Sequence, residues 1–249
     1  TIKEIKNNLF YNKILSNNKY DIIINSETNN QISKKFFYKK INKNYNSCAF
    51  TTIIKHNFCE NKTARQIFTK NGPIAFLPIS NTKTSIVFSI LKSELIFDEK
   101  LITDLIKKYN LNYKIKSFSH FEKFNLKFKI LRKYYHKNIL TFGDLLHRIH
   151  PLAGQGLNMS IRDVKILSNI IDNKLELGLP LDVSVIKEFQ DNTKHMNFFF
   201  ANGIDLIHEY FKFENKFGYN YSKKIFKYFE KNKLFNKYIS QFADRGLSI

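Results

Sequence analysis

Apolar positions change period several times along the chain, and each change marks an element. Ile2, Ile5, Leu9 and the pair Ile14-Leu15 recur at helical spacing, which predicts an amphipathic helix over 1–16. The run Tyr20–Glu27 (YDIIINSE) is short, apolar and bounded by polar residues, as in a buried parallel strand. Residues 28–46 are polar and Lys-rich and predict a loop with some local helix. Between Ser47 and Leu91 come the runs SCAFTTIIKH, ARQIFTK, PIAFLPI and TSIVFSI, rich in β-branched and aromatic residues. SNTK, Ser80 to Lys83, has hairpin-turn chemistry, and such closely spaced strands pair antiparallel. Leu101, Ile102, Leu105 and Ile106 restore helical spacing across Asp98–Asn110, with Asp98 as N-cap. Alternation over Tyr113–Ile130 predicts one or two further strands, and Lys137–Asp144 (KNILTFGD) reads as a second strand of the parallel type. Ile161, Val164, Ile166, Leu167, Ile170 and Ile171 mark a helix, and a longer one runs from near Asp182 past Phe200. Ile225, Phe229, Tyr238 and Phe242 mark a final Lys-rich amphipathic helix. The fold class that emerges is mixed α/β: two parallel-type strands, a mostly antiparallel β-sheet, and C-terminal helices.

Composition adds two constraints. The core must be built from Phe and Tyr, since the 249 residues hold 25 and 13 of them and no Trp. Forty-one basic against 21 acidic residues give a net charge of +20, which could serve a polyanion or an anionic membrane surface. The lysines are spread rather than concentrated, and Asn, Ile and Phe are enriched with them. This is the imprint of an AT-rich genome more than of a nucleic-acid site, and no nucleic-acid partner is expected. Cys48 and Cys59 fit no metal or redox spacing and read as reduced thiols of a cytoplasmic protein. No apolar run has the length of about 18 residues that a membrane span requires.

Against this glycine-poor background, with eight in all, the stretch Thr141–Leu167 stands out by holding Gly143, Gly154 and Gly156. A strand ending in Gly-Asp, then a Gly-rich turn into a helix, presents unpaired backbone N–H groups and a positive helix end to a ligand. Asp144, at the strand's carboxyl end, can accept hydrogen bonds from hydroxyls, and ligands of α/β sheets sit there. Neither the dinucleotide fingerprint nor a P-loop fits, because position 159 is Met and no Gly-Lys-Ser/Thr follows. On chemistry alone, an anion- or cofactor-binding helix start and a tight structural turn both remain open.

The string Gly143-Asp144, His147, His150-Pro151-Leu152-Ala153-Gly154-Gln155-Gly156-Leu157-Asn158, Arg162-Asp163 resembles the second flavin motif of class A FAD-dependent aromatic hydroxylases. It is most similar to the branch that hydroxylates ubiquinone precursors. GPIAFLPIS (Gly72 to Ser80) resembles a stretch of that family's substrate domain, and FADRG (Phe242 to Gly246) its ending. The resemblance implies 1–46 as a remnant of a Rossmann-like FAD-binding domain and 47–135 as the β-sheet substrate domain. It further implies 136–176 as the FAD-binding segment with the Gly-Asp motif, and 177–249 as C-terminal helices. It assigns Asp144 to the ribityl hydroxyls of FAD, with Gly143 allowing close approach. Pro151, Gly154, Gln155 and Gly156 would line the ring, and the N–H groups of Leu157 and Asn158 would face its pyrimidine edge. A reduced flavin carries negative charge there, which a helix start stabilises. The implied activity is hydroxylation of a polyprenylated phenol with NAD(P)H and oxygen, in the cytoplasm, with peripheral contact at the inner membrane or with a ubiquinone-biosynthesis complex. No catalytic acid or base is implied.

Departures from the family pattern matter as well. The Gly-x-Gly-x-x-Gly that holds the ADP half of FAD has no counterpart, and its strand would lie upstream of Thr1. Where Gly-Ala-Asp-Gly is expected stand Asn25-Ser26-Glu27-Thr28, and Leu145-Leu146 replace a small pair and should crowd a neighbour. The chain is then a piece of a diverged enzyme, or a degenerate, flavin-free accessory or lipid-binding relative. His147 and His150 lack a third ligand and read as packing or supporting residues rather than a metal site. Arg162 and Asp163 read as polar residues on a solvated helix face, and Phe198-Phe199-Phe200 as core packing of a long helix. The last helix reads as docked on the core rather than on a membrane.

Overall fold

The computed structural model describes residues 20–91, 99–110, 113–151 and 154–217. The helices expected over 1–16 and from Ile225 onward, and the Asp98 cap, lie outside the described residues. The chain divides into two compact units. One takes in the described residues up to Lys43 together with Phe128–Ile207, and the other Asn44–Lys127 with the residues that follow from His208.

In the first unit β1 (Ile23–Asn25) lies parallel to β9 (Ile139–Thr141), with Ile23 opposite Ile139 and Asn25 opposite Thr141. β8 (Tyr135–His136) returns antiparallel on β9 through a turn at Lys137-Asn138. The strand predicted from Lys137 is therefore shorter, because that pair makes the turn. α1 (Gln31–Phe36) is capped by Asn30, whose side chain accepts from the Ser33 N–H at 2.8 Å. Asn25 donates to Ser33 Oγ at 2.9 Å and accepts from Asn30 Nδ2 at 2.8 Å, so buried side-chain bonds build the turn where the resemblance led to an expectation of glycines. α3 (Gln155–Glu176) ends in a Schellman motif, the Leu179 N–H donating to the Lys174 carbonyl and that of Gly178 to Leu175. α4 (Val183–Phe217) starts at Asp182, which accepts from the Ser184 N–H and hydroxyl; these bonds hold its carboxyl below the usual range. The core packs Leu167 and Ile170 of α3 and Val185, Ile186 and Phe189 of α4 against Ile139 and Leu140. The outward face of α3 is also apolar: Leu157, Ile161 and Val164, one turn apart, are 69%, 57% and 55% exposed.

The second unit is an antiparallel sheet in the order β7 (Glu122–Leu131), β2 (Lys40–His56), β5 (Lys83–Leu91), β4 (Gly72–Ser80), β3 (Arg65–Thr69), with β6 (Ile115–Phe118) also on β2. All runs predicted between Ser47 and Leu91 are strands. β2 begins well before Ser47, so most of the expected loop over 40–46 is strand; Ile41 and Tyr45 alternate inward between Lys and Asn residues, which are poor strand formers. α2 (Glu99–Lys108) buries Ile102 and Ile106 against Phe50, Ile74, Phe76, Ile86 and Phe88. Pro78 of β4, with no N–H to give, sits where the register against β5 slips.

Gly72 follows the two-residue turn Lys70-Asn71 and has φ +128°, and a Cβ built there would lie 2.0 Å from the Ser89 carbonyl oxygen. Backbone on both sides leaves nothing to yield. Gly72→Ala is expected to destabilise the sheet by about 2 kcal/mol or more, measured as a lowered midpoint in urea unfolding followed by circular dichroism.

Candidate functional site

At the carboxyl end of β9 the Phe142 N–H donates to the Asn25 carbonyl at 3.0 Å, extending the parallel pairing by one bond. Gly143 then turns the chain into a 3-10 turn, Gly143–Leu145, with φ +60°, a conformation that a side chain rarely adopts. The turn leaves Asp144 exposed and sends Leu145 and Leu146 into the core. Those leucines, expected to crowd a neighbour, pack with Val185, Ile186 and Phe189.

β10 (His147–Arg148) pairs with the end of β7, His147 opposite Ile130 and Arg148 opposite Lys129. His150 is buried and Pro151 half-buried, and the Pro151 carbonyl accepts from the Gly154 N–H at 3.2 Å. Gly154, with φ +67°, is the residue before the first turn of α3, and no side chain caps that turn. The N–H groups of Gln155, Gly156 and Leu157 therefore have no partner within the helix, whereas that of Asn158 is the first able to reach back to Gly154. The Gln155 side chain is buried and accepts from Asn158 Nδ2 at 3.4 Å. Along this stretch an exposed carboxylate at a strand end is followed, ten residues on, by a helix start with no side-chain cap.

A buried group follows in which His147 has the supporting role expected of it, while its partners were not foreseen. His147 Nε2 is 2.7 Å from Asp163 Oδ2, and Asn197 Nδ2 donates to Oδ1 and Oδ2 of Asp163 at 3.1 and 3.3 Å. Asp163 is 0% exposed, so its expected place on a solvated face is wrong. The signal was present: Asp163 falls in the inward stripe Met159, Asp163, Leu167, Ile170. Arg162 is not solvated either; its guanidinium sits 4.8 Å from the Phe200 ring centroid, and burial lowers its pKa against the charge of Asp163. Of the three phenylalanines expected in the core only Phe200 is buried, because consecutive helix positions point 100° apart and Phe198 and Phe199 face outward.

Lys129 was also missed. Burial first, then Lys40 and Arg148, lower its pKa to about 8, with Asp144 opposing. Two cations directly opposite across strands repel, so the Asp144 carboxylate stands in a positive surrounding.

Comparison with known proteins bears on the family and the fold. The profile of the family described as FAD binding domain matches residues 36–176, more than half of the chain. The 3-demethoxyubiquinol 3-hydroxylase of Escherichia coli is 29% identical over 168 residues, covering 65% of this chain and 43% of its own. A mitochondrial ubiquinone biosynthesis monooxygenase of Dictyostelium discoideum is 27% identical over 186 residues, covering 60% and 38%. The chain thus spans less than half the length of these relatives. Among solved structures, PqsL of Pseudomonas aeruginosa, a probable FAD-dependent monooxygenase, superposes with a TM-score of 0.56 at 17% identity over 79% of this chain and 56% of its own. HpxO of Klebsiella pneumoniae, solved with FAD, gives 0.60 at 8% identity over 92% and 62%. The fold is that of FAD-binding monooxygenases, related at low identity to the ubiquinone-biosynthesis hydroxylases.

Two outcomes follow from the geometry. Asp163→Ala strands His147 and Asn197 in the core and is expected to cost about 3 kcal/mol or more in chemical denaturation, with Asp163→Asn costing less. Lys129 stays charged at neutral pH but holds its proton less tightly folded than unfolded, which weakens folding wherever the unfolded chain keeps it charged. That cost is full below about pH 8 and fades towards pH 10.5. Lys129→Met is therefore expected to exceed the parent in stability at pH 7, an advantage that vanishes by about pH 10.5 in parallel urea titrations.

Proposed function

The chain belongs to the FAD binding domain family, and on that premise we propose that it forms the ring and ribityl part of the FAD site of an aromatic-ring monooxygenase. The observation that supports the reading is an exposed Asp144 just after β9, followed in the same segment by the start of α3, which no side chain caps. Both ends suit a flavin: hydroxyls need an acceptor, and the pyrimidine edge needs N–H donors at a positive helix end. Bound FAD, reduced by NAD(P)H, supplies the oxygen-activating chemistry.

This chain's residues bind and orient. Asp144 accepts from the ribityl hydroxyls, and Gly143 keeps the backbone low beside them. Pro151, Gly154, Gln155 and Gly156 line the ring. The N–H of Leu157, joined by those of Gln155 and Gly156, faces the pyrimidine edge, with Asn158 one residue further in. Lys129 and Arg148 add positive charge on the Asp144 side, which favours an anionic cofactor or a phenolate. Similarity to a 3-demethoxyubiquinol 3-hydroxylase and to a ubiquinone biosynthesis monooxygenase supports a phenolic precursor of ubiquinone as substrate. A polyprenyl tail on it accords with contact at a membrane surface, and no helix among the described residues is long and apolar enough to cross one.

Titration of the chain with riboflavin, which has the ring and ribityl chain but no ADP, separates this reading from a flavin-free accessory role. Quenching of riboflavin fluorescence is expected, with Asp144→Ala weakening the affinity about tenfold or more, as for loss of a charged hydrogen bond. Unchanged fluorescence with both riboflavin and FAD would leave the accessory role standing.

A further inference from the structure

One cavity of the first unit lies outside the flavin segment and has a chemistry of its own. It measures about 250 Å³, and none of its lining residues falls between Gly143 and Asn158. Its walls include Ile130, Tyr134 and Phe198, an aliphatic and two aromatic faces. Burial raises the pKa of Tyr134, with Asn197 beside it pulling the other way, so the phenol stays neutral and contributes no negative charge. The remaining lining includes Arg132, Lys194 and His195, and no carboxylate. Lys43 and Lys174 are paired with Asp205 and Glu188, whereas none of Arg132, Lys194 and His195 has a carboxylate partner among the described residues.

An apolar well edged by basic side chains without acidic partners matches one kind of small molecule. The cavity is a depression open to solvent on one side, with a mostly apolar floor and a basic edge. A dry cavity of about 150 Å³ takes a benzene ring, and this larger space fits a ring or short chain of about ten non-hydrogen atoms. Polar groups in such pockets fix orientation, and a guanidinium matches a carboxylate by its paired N–H groups. Arg132, His195 and Phe198 are exposed, which leaves the cavity reachable from solvent. Lys194 and Phe198 lie one turn apart on α4, so charge and apolar wall come from one rigid face of a helix.

We propose that this cavity is a binding site for a small apolar monocarboxylate, its body against Ile130, Tyr134 and Phe198 and its carboxylate among Arg132, Lys194 and His195. The site goes beyond the flavin reading and needs no flavin for its test.

Isothermal titration of the chain with benzoate, benzyl alcohol and acetate reads each half of the recognition. Benzoate is expected to bind at least tenfold more tightly than either comparator, since one lacks the charge and the other the apolar body. The double variant Arg132→Glu/Lys194→Glu should weaken benzoate about tenfold or more, and Phe198→Ala should weaken it severalfold. Lys165→Glu, an exposed reversal on α3, should leave the affinity unchanged and so separates local from overall charge. Folding of each variant is checked by circular dichroism. Equal affinity for benzoate and benzyl alcohol, or equal loss from Lys165→Glu and from the cavity variants, would overturn the assignment.

Discussion

The contact between His147 and Asp163, at 2.7 Å in a place closed to water, organises the segment around it. It joins β10, which follows directly from the Gly143–Leu145 turn, to α3, whose start stands across the same loop. Asn197 adds α4 by donating to the same carboxylate. A carboxylate removed from water costs several kcal/mol unless its oxygens are satisfied; here both have donors, and the three elements are held in register because those donors cannot leave. Asp163, in the inward stripe of α3, is thereby tied to β10 and α4 by side chains that lie inside the unit. A loop fixed in this way can present backbone N–H groups with little loss of entropy on binding.

How much was legible in the sequence follows from the range of each interaction. Phe50, Ile54, Ile86 and Phe88 all turn inward from short runs rich in β-branched and aromatic residues, so β2 and β5 could be read from those runs alone. Gly143 and Gly154 could be read because a positive φ is a local demand that glycine meets. Lys40–Asn46 could not, since Asn and Lys carry no strand signal and the pairing that makes them a strand comes from elsewhere in the chain. His147, Asp163 and Asn197 lie 16 and 34 positions apart and meet only in the folded unit. Even so, a carboxylate in the inward stripe of α3 was a visible anomaly that a partner had to explain.

The turn after β1 shows how a glycine-poor chain closes a tight turn with side chains. Asn25, Asn30 and Ser33 close it with side-chain amides and a hydroxyl, and the Ser33 hydroxyl also donates to the Glu27 carbonyl. Backbone freedom has been exchanged for a buried polar cluster, which is stiffer and demands that each member find its partner. In the same way Leu145 and Leu146 fill volume that a small pair would leave to other side chains. Both changes move the loop's support from backbone shape to side-chain contacts.

The outward stripe of α3 has a consequence for the life of the chain in a cell. Leu157, Ile161 and Val164 form a greasy ridge beside the loop, on a helix whose other face is already sealed into the core. Such ridges are what holdase chaperones grip on newly made chains. The fold seals the inner seam of α3 by itself and leaves the outer ridge as apolar surface beside the loop, which only a further surface could shield.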